Sequence, residues 1–369
     1  MEFRGRRSSV LLFSLLTIPA RQPNVEIRGF NFVEAKQNKK SMEIRAAAAD
    51  VYKPEDLMVL KEPLTLLWSK ERAPYRVNGA VGVLKTATRD LEVRGGSQLL
   101  SPDELLFVTE KLRYDPAAND FLSDESVEVR RLRMNSDAAF KLAGQGLRID
   151  LDRSLYEIHS KVRASQRVSS ASNFLVTSRR AEITPELRQA YFYGSVDVRS
   201  KYLSLRGDEL TIHFKDNKPS KLVMVGRGRN PKIQATMGKL KLISQGLDVT
   251  LGPSGEMERS EAKGSVDAIF DDGTKFVAER LVSVKENGQS VFILEGQVNI
   301  FTGERTATSE FARFYPDTGD IHLERVAAVK KGDQLIEGER IRFSTKNSEV
   351  RVEKAKGRVG RQDLGLGGR

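Results

Sequence analysis

Three histidines, His159, His213 and His322, are the only imidazoles in this 369-residue chain. A histidine works as a base or a metal ligand when a partner group stands beside it, and sequence shows this as motif spacing. These three lie far apart, each within a strand-like stretch, and no two have metal-ligand spacing. Cysteine is absent, which excludes disulfides and thiolate chemistry. Asp271-Asp272 reads as a turn rather than an acid/base pair. Gly144-Gln145-Gly146 lacks the third glycine and the following helix of a dinucleotide fingerprint. There is no glycine-rich loop ending in Lys-Ser/Thr and no Gly-x-Ser-x-Gly elbow. A glycosidase carboxylate pair has no fixed sequence spacing, so that chemistry leaves no trace to read. The expectation is a chain with no enzymatic activity, no cofactor and no metal.

The remaining chemistry is that of surfaces. Sixty-one basic residues against 50 acidic give a net charge of +11, which favours anionic partners such as nucleic acid, membrane surfaces or phosphorylated lipids and sugars. The basic residues are spread along the chain, with small clusters only at Arg130-Arg131-Leu132-Arg133 and Arg227-Gly228-Arg229. Single-stranded nucleic acid would need a basic stripe interleaved with stacking aromatics. Here there is one tryptophan, Trp68, and most of the 17 phenylalanines fall on alternating apolar faces. Those faces read as interior, so no nucleic-acid partner is expected.

The elements that carry these faces are strands. Ala190, Phe192, Gly194, Val196 and Val198 fall on one side of a period-2 pattern. So do Ala262, Gly264, Val266, Ala268 and Phe270, and Phe292, Leu294, Gly296, Val298 and Ile300. Val77, Gly79, Val81 and Val83 form a fourth case. The glycines recur, Gly194 with Gly226 and Gly264 with Gly296, and glycine inside a strand marks a bulge, a bend or a close approach. Three Pro turns link strands: Tyr52-Lys53-Pro54-Glu55-Asp56, Tyr114-Asp115-Pro116 and Tyr315-Pro316-Asp317. The first follows four alanines, Ala46 to Ala49, whose propensity favours helix; the shared turn makes the segment a hairpin instead. Further turns fall at Asp216-Asn217-Lys218-Pro219, Asp272-Gly273, Asn287-Gly288 and Lys331-Gly332-Asp333. Glu182–Gln189 is read as a helical turn. The class is all-β, two tandem antiparallel modules.

The N-terminus carries Arg4, Arg6 and Arg7 before the nine apolar-rich residues Val10–Ile18, an export-signal pattern far shorter than the roughly 20 residues that span a bilayer. The expected organisation is an export signal or short anchor at 1–22, modules at 23–165 and 166–360, and a flexible tail at 361–369. Polar "ASQRVSSASN" from Ala164 marks the module boundary.

The first module resembles LptC. The likeness is carried by Ile27-Arg-Gly-Phe30, Met42-Glu-Ile-Arg-Ala-Ala47, Leu112-Arg-Tyr-Asp-Pro116, Asn119-Asp-Phe-Leu-Ser-Asp124 and Gly144-Gln-Gly-Leu-Arg-Ile-Asp-Leu151. The second is similar to LptA and the OstA-like domains, through Val176-Thr-Ser-Arg-Arg-Ala-Glu182, Tyr193-Gly-Ser-Val-Asp-Val198, Leu205-Arg-Gly-Asp-Glu-Leu210 and Glu310-Phe-Ala-Arg-Phe-Tyr-Pro316. The resemblance implies a V-shaped β-jellyroll in the periplasm that holds lipopolysaccharide without reacting with it. Its implied partners are lipopolysaccharide, the inner-membrane Lpt ABC transporter components, and other OstA-like jellyroll domains joined edge to edge. Candidate lipid-facing residues are Val81, Val83, Phe192, Val196, Val198, Leu210, Ile212, Phe214, Phe292, Leu294, Val298 and Ile300. The alternative is a structural scaffold of the cell envelope with a closed core.

Overall fold

The computed structural model describes residues 17–36, 39–69, 73–132, 140–169, 172–185, 188–286, 288–346, 350–354 and 356–358. Among these residues the regular elements are 27 β-strands, with a 3-10 turn at Lys53–Glu55. The export-signal reading at 1–22 falls mostly outside the described residues, as do Asn287 and the 361–369 tail. Among the described residues no helix is long and apolar enough to cross a membrane.

The chain divides into two compact units. The first comprises residues up to Val127 with Asp150–Asp152. It opens with β1 (Val25–Lys36), β2 (Lys39–Tyr52), β3 (Leu57–Lys61), β4 (Leu64–Leu67), β5 (Tyr75–Asn78) and β6 (Val81–Lys85). Then follow β7 (Leu91–Leu100), β8 (Leu105–Asp115) and β9 (Asp120–Arg131). β2 is long enough to feed two partners: Ala48–Tyr52 pairs with β3, and Met42–Arg45 with β4. The branches run through β6 and β5 and rejoin on β7, at Leu91–Arg94 and Gln98–Leu100 respectively. A ladder that splits and rejoins encloses a space between two layers, and that space must be filled with apolar side chains. Ile44, Leu60, Val77 and Leu99 are all at most 1% exposed.

The alanine run is strand, as its turn implied. β2 continues through Ala46–Ala49 to Tyr52, the 3-10 turn carries Pro54, and Asp56 in the left-handed region (φ 53°) leads into β3. At the second turn, Asp115 Oδ1 accepts from the amides of Ala117 and Ala118 at 3.0 and 3.2 Å. At the third, the amide of Gly319 donates to the Tyr315 carbonyl at 2.7 Å. Local side-chain and backbone bonds of this kind make Asp-Pro and Pro-Asp sequences turn.

The second unit takes Glu128–Ile149 and residues from Arg153 onward. Its strands are β10 (Phe140–Asp150), β11 (Leu155–Ser169), β12 (Ser172–Ser178), β13 (Arg180–Thr184), β14 (Gln189–Arg199), β15 (Leu203–Lys215), β16 (Lys218–Val225), β17 (Ile233–Met237), β18 (Leu240–Ser244) and β19 (Gly246–Leu251). Long strands complete it: β20 (Met257–Phe270), β21 (Lys275–Glu286), β22 (Gln289–Thr302), β23 (Arg305–Tyr315), β24 (Asp320–Lys331) and β25 (Gln334–Ser344), with short β26 (Val350–Glu353) and β27 (Lys356–Arg358). The split recurs. β11 branches to β12 and β13, which rejoin on β14. β15 branches to β16 and β17, which rejoin on β20 through β19 and β18. Glu182–Thr184 belongs to β13, with Ala181 fully buried in register with Phe192; the helical turn expected over Glu182–Gln189 is confined to the segment after it, where Pro185 is 3-10 and its carbonyl accepts from the Arg188 amide at 3.0 Å, residues 186–187 lying outside the described residues.

From β20 to β25 every ladder breaks once near its middle, between Lys263 and Val266, Glu295 and Val298, or Glu324 and Ala327, for example. Each break holds consecutive left-handed residues, such as Gly264-Ser265 (φ 74°, 48°) and Gly296-Gln297 (75°, 46°). A bulge of this kind bends the strand, so its two halves lie in different layers. Gly194-Ser195 does the same in β14. The 32-residue glycine spacing is therefore real for Gly264 and Gly296 and fortuitous for Gly226. Gly226 follows β16 at ordinary φ, where a Cβ would lie 2.8 Å from the Lys232 nitrogen. Gly79 likewise sits between β5 and β6, not inside a strand.

Candidate functional site

Ten of the sequence-selected residues are at most 8% exposed, while Val81 and Phe214 are half-buried. Val81 and Val83 share the face of β6 that meets Lys61, Val59, Glu92 and Arg94, opposite the face of Leu60, Leu84 and Val93, and Val83 packs there with Tyr52 and Leu57. The ten in the second unit fall in two environments. Around Phe292, Leu294, Val298 and Ile300 the layers close on each other. Phe270 and Phe276, from one half of the bent strands, meet Phe314 from the other half, with ring centroids 5.5 and 5.0 Å apart. Phe270 also reaches Phe292 at 5.9 Å. Edge-on and tilted contacts at these distances are those of a packed aromatic core.

At the other end of the unit a narrow apolar cleft of about 10 Å³ has one wall from β11 and β12 (Ala164, Ser165, Gln166, Phe174, Val176) and the other from β14, β15 and β16 (Phe192, Ile212, Phe214, Pro219), with Phe140 of β10 alongside. Only Phe192, Ile212 and Phe214 were selected from sequence. The opposite wall was missed because its membership depends on register, with Ala164 opposite Val176 and Gln166 opposite Phe174. The one available signal, the apolar run Phe174-Leu175-Val176, follows a polar segment that reads as a linker.

Two polar groups sit among these apolar walls, Ser165 and Gln166. Gln166 is 4% exposed, and its Nε2 donates to the Asn217 carbonyl at 2.6 Å. Asn217 is in the β15–β16 turn, with Asp216 and Asn217 both left-handed (φ 50°, 61°) as Asp-Asn turns permit. This hydrogen bond therefore ties the wall of β11 to the wall of β15 and β16.

The histidines serve no joint purpose. His213 Nδ1 lies 3.1 Å from Gln189 Nε2, and the His322 ring meets Tyr315 at a tilt of 54°, centroids 5.0 Å apart. Among the described residues no group of histidines and carboxylates could hold a metal ion.

The fold defines the class of split, bulged antiparallel β-jellyrolls with an apolar interior. The chain belongs to the lipopolysaccharide-transport family. Residues 16–167 match the family described as lipopolysaccharide-assembly, LptC-related, and residues 175–349 match the LptA/(LptD N-terminal domain) LPS transport protein family. Its domains are thus those of the lipopolysaccharide transport bridge. Among solved structures it is similar to LptH, the LptA-homologous periplasmic component of the lipopolysaccharide transport device of Pseudomonas aeruginosa. That similarity has 13% identity over 51% of this chain and 94% of the other, with a TM-score of 0.15. Among curated proteins none matches. The family matches change over between residues 167 and 175, whereas residues 153–169 pack with the second unit; position 165 lies inside β11.

Proposed function

We propose that this chain binds and relays lipopolysaccharide across the periplasm without chemistry, its acyl chains held between the two β layers and the sugar–phosphate head left outside. The observation that supports this most is the apolar cleft between β11–β12 and β14–β16, in a chain whose domains belong to the transport bridge. Each acyl methylene removed from water contributes about 0.8 kcal/mol, so a multi-acyl lipid moves only where apolar lining is continuous. At about 10 Å³ the cleft holds little more than one water molecule, so an acyl chain enters only where the layers part. The ten sequence-selected residues of the second unit then divide into a mouth (Phe192, Ile212, Phe214) and a wall that packs on itself until lipid enters.

The inner-membrane ABC transporter components would supply lipid and energy, and other jellyroll domains would dock on the sheet edges. Edge strands offer unpaired backbone groups for such addition. β1 pairs through one side with β2 and has no buried residue. The closed Phe270, Phe276, Phe292 and Phe314 cluster favours a second reading, a scaffold whose core never opens.

A photo-crosslinking residue decides between them. Placed at Phe214, it gives a lipopolysaccharide adduct, while the same residue at Thr211, on the opposite face of β15, gives little. Adducts absent from Phe214, or equal at both, would sink the conduit reading. A further adduct at Val298 shows that the layers part as far as β22.

A further inference from the structure

An antiparallel sheet that packs through one face alternates apolar-in with polar-out, and β18 to β22 depart from that rule. Large apolar side chains point outward on three of these strands: Ile243 of β18 (39% exposed), Ile269 of β20 (45%) and Phe301 of β22 (42%). Each alternates with a buried neighbour, Leu242, Ala268 or Ile300, which sets it on the outer side. Register brings them together. Lys241 stands opposite Ile269, Ile269 opposite Lys275, and Lys275 opposite Phe301. In the adjoining row of the same face Ile243 stands opposite Asp267, and Asp267 opposite Val277. Ile243, Ile269, Val277 and Phe301 therefore follow one strip across β18, β20, β21 and β22. Single exposed apolar residues are normal, whereas a contiguous strip rimmed by polar groups marks a contact surface.

Lysines line the strip. Crossing the sheet, the first row reads Lys241, Ile269, Lys275, Phe301, Thr306, Lys330. The carboxylates beside it are already held: Asp267 by Lys275 at 3.1 Å, Asp271 by Lys239 at 3.4 Å and Glu304 by Lys331 at 3.5 Å. Glu337 stands at the far end of the second row, opposite Ala328. Lys241 and Lys330 are exposed and make no ion pair with a carboxylate of the described residues. These surplus cations decide what the strip can meet. A second copy laid on it would bring two lysine rows together, and like charges facing each other repel. An anionic lipid surface suits both kinds of side chain. Apolar tips enter the boundary between headgroups and acyl chains, while lysine stems lie along it and carry their ammonium groups to the phosphates.

We propose that the outer face of β18–β22, with Lys330 of β24 at its flank, docks on an anionic phospholipid surface. Strands spaced by about 4.8 Å spread the strip over about 14 Å across the sheet, wide enough to meet several headgroups at once. Each lysine brought to such a surface strengthens binding, and the attraction fades within a Debye length, so salt weakens it. The strip lies on the face of the ladder opposite the interior, so it does not depend on the acyl-chain reading.

The test uses the full chain and phosphatidylcholine vesicles with and without phosphatidylglycerol, followed by co-sedimentation. Binding is expected with phosphatidylglycerol, falls as salt rises, and is much weaker with phosphatidylcholine alone. Ile269→Ser/Phe301→Ser and Lys241→Gln/Lys330→Gln each weaken it about tenfold or more, the scale of two inserted apolar tips or two surface charges. The control Lys141→Gln/Lys201→Gln removes equal charge elsewhere and stays within about twofold of wild type, since the net field alone is not what binds. The absence of cysteine allows a second reading that is independent of the basic N-terminus. A polarity-sensitive thiol label in Thr308→Cys, at an exposed position of the same face opposite Asn299, shifts to the blue when phosphatidylglycerol vesicles are added. The same label in Thr211→Cys, on the outer side of β15, does not. Unchanged binding in both strip variants, equal weakening in the control, equal binding to phosphatidylcholine alone, or an unresponsive label at position 308 overturns the proposal. So does a label that shifts with protein concentration in the absence of lipid, which assigns the strip to a second copy, or tighter binding to duplex DNA lost in the lysine variant.

Discussion

At the scale of single residues, electrostatics decides where strain is carried. Arg280 joins two carboxylates on adjacent strands, donating to Glu261 at 2.9 Å and to Glu295 at 2.5 Å. Hydrogen bonds from Arg280, then from Lys263, hold the Glu261 carboxyl far below its ordinary 4.5, at about 2. A carboxylate with a depressed folded pKa contributes stability that is complete above the unfolded value and is lost as pH falls toward the folded one. Stability of the wild type over Glu261→Gln is therefore largest above about pH 4.5 and disappears as pH approaches 2; urea titrations at steps across that window measure it. A constant difference across the window would mean the ion pair is not what stabilises this row. The opposite case is Val326, a β-branched residue held left-handed (φ 54°) and 77% exposed at the bulge of β24. It sits where β20 and β22 place a polar residue, Ser265 or Gln297.

At the scale of elements, the bulges do what long straight strands cannot. β20, β22 and β24 serve both layers because a left-handed pair bends each mid-way, and β21 and β23 between them shift register at the same points. The halves are then held face to face by the aromatic cluster centred on Phe314, which touches Phe270, Phe276 and Phe292. Phe314 is fully buried, so Phe314→Ala leaves a cavity and costs about 3–5 kcal/mol. Denaturant unfolding reads this directly. At the cleft, Gln166 spans the layers through one hydrogen bond to the Asn217 carbonyl.

At the scale of the whole chain, the question is where one module ends. The polar segment from Ala164 reads as a linker in sequence, yet Arg163 to Arg167 pair with Asn173 to Thr177, and Val162 and Ala164 are buried. A fragment ending at residue 165 thus stops inside β11 and exposes an interior edge. It is expected to be insoluble or to bind a hydrophobic dye, and a sharp, dye-free melting transition would show that β11 is dispensable to residues 1–165. Exposed strand edges with apolar faces carry that hazard generally.

The sequence alone determined the strands, the Pro turns and the inward faces of the second unit, because period-2 alternation and turn chemistry are local and survive without tertiary information. It also determined the family, through motifs in order. That Phe192, Val196, Leu210 and Ile212 point inward follows from their alternation. That three of the twelve line a cleft while Leu294, Val298 and Ile300 are sealed follows from which strand halves share a layer. Layer assignment depends on where each ladder splits and bends, and those are long-range pairings. The opposite wall, Ala164, Phe174 and Val176, and the outward strip Ile243, Ile269, Val277 and Phe301 are products of register alone. A shift of one residue would turn each set to the other face, so only the folded ladder could bring them together.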